Sequence, residues 1–227
     1  MKRSAIVAMS VLFCVASAVA QDDVQAIKDK ANAGDPAAEI QMGNMYAFGA
    51  GVGRDSQEAV KWFKKAADQG NPDGQYRLGA MYDVGHGLPQ DSATAFKWYS
   101  LAAKQGFLDA EYRVAVMYDQ GRGVKKDLIQ AAKWYQVAGQ HGRPEAQFRL
   151  GEMYEKGTGV KKDYATAMKW YTQAAQQGRP EAEYKVGYMY EQGFGVPQSN
   201  AEAIKWYKMA TDKGDALAHQ ALIALQK

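Results

Sequence analysis

The chain has 227 residues, 47% of them hydrophobic, enough for one ordinary domain or one short repeat array. Its 28 Lys+Arg stand against 25 Asp+Glu, a net charge of +3. So even a balance excludes the polybasic face that nucleic acid or an anionic membrane demands, and no nucleic-acid partner is expected.

The first element is a leader. Lys2 and Arg3 precede an apolar run, Ala5 to Val15, broken only by Ser10, and Ala18-Val19-Ala20 supplies an A-x-A pattern. A positive start, a short apolar core and small residues at the cut are the parts of a secretory signal. The apolar run is shorter than the ~20 residues a spanning helix needs. Residues 1–20 are therefore expected to be a signal peptide cleaved after Ala20, with no integral membrane segment left behind. Cys14 is the only cysteine, and bulky Phe13 before it disfavours a lipoprotein anchor. Cleavage leaves 26 basic against 25 acidic residues, or +1, and no thiol for a disulfide or a metal. The expected location is periplasmic or secreted, where a thiol-free chain is at ease.

A repeat fills the remainder. Trp62, Trp98, Trp134, Trp170 and Trp206 are all the tryptophans, each 36 residues from the next. Met45-Tyr46, Met81-Tyr82, Met117-Tyr118, Met153-Tyr154 and Met189-Tyr190 keep the same period. So do Gly-x-Gly pairs from Gly49/Gly51 to Gly193/Gly195. A fixed period of this length marks a stacked array, in which each unit buries its apolar face only against its neighbours. Five units are expected at 34–69, 70–105, 106–141, 142–177 and 178–213. Residues 21–33 fall in phase with a second helix and residues 214–227 with a first helix. Both read as capping half-units, which makes the array complete at each end.

Each unit reads as two helices. In the second unit Asn71 is placed to cap a helix that starts at Pro72. Gly74, Leu78, Met81 and Tyr82 follow at helical spacing. Gly85 and Gly87 end it. Asp91 caps the second helix, in a column of Asp55, Asp91, Asp127, Asp163 and Ser199. Glu58 and Glu202, three residues after their caps, suggest capping boxes. Small residues recur mid-helix at Gly43, Gly79, Ala115, Gly151 and Gly187, where a Trp or Tyr from a neighbouring helix is expected to press close. The Trp column reads as core, worth ~3–5 kcal/mol per side chain.

The wording of a unit, as in Gly142-Arg-Pro-Glu-Ala-Gln-Phe-Arg-Leu-Gly-Glu-Met-Tyr and later Ala167-Met168-Lys169-Trp170-Tyr171, resembles the Sel-one-like repeat (SLR) family. These are relatives of the tetratricopeptide repeat, and the likeness covers 34–214. The resemblance implies an all-α fold, a right-handed α/α superhelical solenoid whose first helices line a concave face. It also implies an adaptor for protein complexes. A cysteine-rich exported branch is linked to β-lactam binding or hydrolysis, with a disulfide pair in each unit. The lack of mature cysteine speaks against that activity here.

Catalytic chemistry is hard to find. His86, His141 and His219 share no helical face and read as solvated. No G-x-S-x-G occurs, and no Ser keeps recognisable His and acid company. No catalytic residue, metal site or cofactor is expected. The ladder Arg77, Arg113, Arg149 and Lys185 has acids four residues earlier, at Asp73, Asp109, Glu145 and Glu181. Local i,i+4 pairing, worth ~0.2–0.5 kcal/mol, accounts for it.

Residues that choose a partner need not repeat. Two first-helix columns vary from unit to unit: Asn44, Ala80, Val116, Glu152, Tyr188 and Phe48, Val84, Gln120, Lys156, Gln192. If first helices line the concave face, these form a strip graded from apolar to charged. The expected function is a non-catalytic scaffold, monomeric, holding a protein or peptide partner on that strip.

Overall fold

The computed structural model describes residues 23–226, and every secondary-structure element among them is helical. The expected cleavage after Ala20, and Cys14, fall outside the described residues. The described residues fold as two compact units, divided between Phe107 and Leu108. In the first, α1 (23–32) precedes α2 (Pro36–Phe48), α3 (Ser56–Asp68), α4 (Pro72–Val84) and α5 (Ser92–Lys104). The second holds α6 (Leu108–Gln120), α7 (Leu128–Gln140), α8 (Pro144–Lys156), α9 (Tyr164–Gln176), α10 (Pro180–Gln192), α11 (Asn200–Asp212) and α12 (Ala216–Leu225). Helices α2 to α11 each have 13 residues. Within each unit a helix packs mainly on its neighbours in sequence. No helix among the described residues is long and apolar enough to cross a membrane.

The caps fall where the sequence places them, with one exception. Asn71 accepts from the amides of Asp73 and Gly74, with Pro72 at the helix start. Asp55, Asp91, Asp127 and Asp163 each accept from the second and third amides of their helices. Two orphan donors are satisfied at each site, worth ~1 kcal/mol per cap. The capping boxes are only half made. Glu58 and Glu202 turn outward to Lys61 and Lys205. The cap amides they were expected to hold donate instead to main-chain carbonyls, Asp55 to Tyr46 and Ser199 to Tyr190, both at 2.9 Å. The same bond joins Asp91 to Tyr82, Asp127 to Tyr118 and Asp163 to Tyr154, and so pins each second helix to the end of its first.

The core mass sits one column later than expected. Trp62 is buried, but Trp98, Trp134, Trp170 and Trp206 are only half-buried. Trp170 reaches back toward α7, where a Cβ on Gly139 would stand 3.2 Å from its ring, and joins the cluster around Tyr135 and Leu150. Trp206 does the same on the cluster around Tyr171. These tryptophans knit repeats together along one edge of the second helix, so one flank of each stays wet. The next column, Phe63, Tyr99, Tyr135, Tyr171 and Tyr207, fills the interior. Its rings explain the small-residue column: a Cβ on Gly151 would stand 2.6 Å from the ring of Tyr171.

Candidate functional site

Two polar ladders run through the helices and were not read from the sequence. The first is built on the acid column Asp83, Asp119, Glu155, Glu191. Tyr135 donates its hydroxyl to Asp119 at 3.2 Å, Tyr171 to Glu155, and Tyr207 to Glu191 at 2.6 Å. From the following repeat, Arg149 donates to Asp119 at 2.6 Å and Lys185 to Glu155 at 2.9 Å. Burial raises the pKa of Tyr135, Tyr171 and Tyr207, and the neighbouring carboxylate adds to the shift, so the phenols keep their protons. Arg149 also binds Glu152 at 2.7 Å. Burial opposes ionisation of Glu152, but the hydrogen bond and charge of Arg149 prevail, with help from Lys156, and lower its pKa.

This arrangement corrects the i,i+4 account of the basic ladder. It holds for Arg77, 2.8 Å from Asp73. Arg149 and Lys185 ignore Glu145 and Glu181, which turn instead to Arg143 and Arg179. The signal was present as paired substitution: where the ring column has Phe63, the position 16 residues earlier is Ala47, and the acids accompany tyrosines.

The second ladder joins a buried polar residue near the start of each first helix to the residue ending the second. Gln69 donates to Glu39 at 2.7 Å, Gln105 to Gln75 at 2.9 Å, Gln177 to Gln147 at 2.7 Å, and Lys213 to Glu183. In the third repeat His141 Nδ1 lies 2.8 Å from Glu111. His141 is therefore a ladder member, not a free surface histidine. His86 is also engaged, its Nε2 2.6 Å from Ser56 Oγ. That pair lies at a contact position between successive repeats, since Tyr164 and Phe194, at equivalent sites, stack with centroids 4.6 Å apart.

The two variable columns keep a common position on the first helices. Phe48, Val84, Gln120, Lys156 and Gln192 are all exposed, and Asn44, Ala80, Val116, Glu152 and Tyr188 are all half-buried one turn earlier. In the first unit Asn44, Phe48, Ala80 and Val84 line one cavity of about 310 Å³. In the second, Val116 and Gln120 line a polar recess with Asp119 and Arg149, and Glu152 and Lys156 line another. Tyr188 meets Tyr184 and Phe194. Gln192 stands exposed at the end of α10. No group of His, Cys, Asp and Glu suited to a metal ion occurs among the described residues.

Paired helices of equal length, caps and rings repeating in register, and ladders that recur from repeat to repeat define an α/α repeat protein. The family follows from the comparisons. The Sel1 repeat model matches five times, at 36–71, 72–107, 108–142, 144–178 and 180–215, and the chain belongs to that family. The matched units begin two residues later than units opened at the glycines. A protective antigen present in uropathogenic Escherichia coli strains, displaying an SLR fold, is 38% identical with a TM-score of 0.85. That match covers 88% of this chain, which spans 43% of the antigen's. A Sel1 repeat protein from Oxalobacter formigenes is 31% identical over 92% of this chain and 88% of its own, with a TM-score of 0.81. No curated protein matches.

Proposed function

We propose that this protein is a non-catalytic interaction scaffold, exported to the periplasm or beyond the cell, that holds a protein or peptide partner on its first-helix face. One observation carries the reading. The columns that repeat serve caps, core rings and ladders, whereas two columns that vary among the first helices share one stretch of each, one column exposed and the other half-buried. Variation on an accessible stretch of each first helix, over a constant frame, is what partner choice requires of a repeat protein. The leader supports export, and the protective antigen among the relatives accords with it.

Ser56 and His86 favour a second reading, an exported hydrolase, because a hydroxyl hydrogen-bonded to an imidazole is the start of a nucleophile. The equivalent sites are filled by Tyr164 and Phe194, which makes packing between repeats the simpler role.

The test is capture from the native envelope fraction by crosslinking. Gln120→Lys with Lys156→Glu changes charge at two exposed positions. The double variant should keep the wild-type melting temperature and recover at least tenfold less partner. Undiminished capture with an intact fold sinks the proposal.

A further inference from the structure

The first unit lacks one rung of the ladder, at Ala47 and Phe63, that the second unit keeps at Asp119 and Tyr135. Adding 72 to a residue number carries the first-unit cavity onto the two polar recesses around Arg149. Ala47 then stands where Asp119 stands, Ala80 where Glu152 stands, and Phe63 where Tyr135 stands. Arg149 is held by both of those carboxylates. Arg77, its counterpart, has neither. It is held by Asp73 on its own helix and by the neutral amide oxygen of Asn44 at 2.8 Å.

What replaces the acids is an apolar hollow of about 310 Å³ with cations at its edge. Phe63 and Ala47 line it, with Phe48 and Val84, which at 78% and 69% are the most exposed large apolar side chains among the described residues. Arg54, Arg77 and His86 also line it, and no described Asp or Glu side chain does. Two large apolar side chains left in water beside a recess are surface that an apolar ligand group would bury. Arg54 and Arg77 at its edge, with no described acid in the lining, favour a negative charge there.

We infer that this hollow binds the C-terminal residue of a partner chain, one whose apolar side chain fills the recess between Phe48 and Val84 while its α-carboxylate takes the place beside Arg77 that Asp119 and Glu152 take beside Arg149. A chain end fits better than an internal acidic residue for two reasons. It carries the apolar side chain and the carboxylate on one Cα. It also brings a single peptide link to a wall whose exposed surface is mostly apolar, where a continuing chain would bury more amide groups. The inference rests on the first-helix face being the partner face and names the chemistry one part of it reads.

Fluorescence polarisation with labelled peptides ending in Gly-Ser-Leu, Gly-Ser-Phe or Gly-Ser-Val tests it, each made as free acid and as amide. At least one free acid should bind tenfold or more tighter than its amide. Ala47→Asp with Ala80→Glu restores the two carboxylates that this chain already places around Arg149. That variant should keep its melting temperature and lose at least tenfold in affinity, and Arg77→Gln should lose the preference for acid over amide. Equal binding of acid and amide overturns the inference, as does an internal Leu-Glu-Phe peptide amide binding as tightly as the free acids. No binding by any peptide, with partner capture by the whole chain intact, overturns the hollow's ligand and leaves the scaffold reading standing.

Discussion

Tyr171→Ala lowers stability by ~3–5 kcal/mol, the cost of emptying a large, fully enclosed ring site. Tyr171 is 0% exposed and packs among Ala167, Ala174, Ala182 and Val186, beside Gly151. The loss exceeds the ring's own burial. Its hydroxyl donates to Glu155, which Lys185 of the next repeat also holds, so one truncation empties a core site and strips a carboxylate of a donor. For a chain of this length the melting temperature falls by about 10 °C. Tyr171→Phe removes only the hydroxyl and costs ~1 kcal/mol, a substitution that position 63 already carries. Denaturant unfolding of the two variants separates the terms. Equal losses would mean that the hydroxyl, not the ring, dominates.

Gly159→Ala costs ~2–4 kcal/mol although the site is a loop. Its φ of +74° is strained for any side chain, and a Cβ there would lie 2.2 Å from the carbonyl oxygen of Leu128 at the start of α7. The obstacle is backbone, which has little freedom to yield. Gly157→Ala is the control. It shares a left-handed φ of +75°, but its Cβ would meet nothing closer than Lys162 Cβ at 3.1 Å, so it should cost ~1 kcal/mol. Thermal unfolding of the pair checks whether the second glycine of each Gly-x-Gly loop is kept for close approach. Equal destabilisation would leave the left-handed backbone as the whole explanation.

These two residues also show how much was legible in sequence. Period, caps and helix-ending glycines are local signals, governed by which side chain reaches a nearby amide, and Asn71 and Asp91 behave as read. The core was placed one column off because Trp is the larger residue, and size alone does not say which flank of a helix meets two neighbours. Tyr171 meets both, whereas Trp170 lies on an edge. The ladders were missed because their bonds span 16 or 30 residues and join side chains from different helices. Only the pairing of Ala47 with Phe63, against acids with tyrosines, betrays them. The variable strip was legible as columns. Its gathering into an apolar hollow around Arg77 was not, because that follows from Ala47 and Ala80 leaving space that Asp119 and Glu152 fill elsewhere.

The central claim is that partner choice resides on the first-helix face. A photo-crosslinking amino acid placed singly at 48, 84, 120, 156 and 192 tests it, compared with Lys97, Lys133, Lys169 and Lys205, exposed on the second helices. With export-competent protein in intact cells, at least two first-helix positions should give one common crosslinked partner and the second-helix positions none. Crosslinks confined to the lysine positions, or spread evenly over both sets, would contradict it.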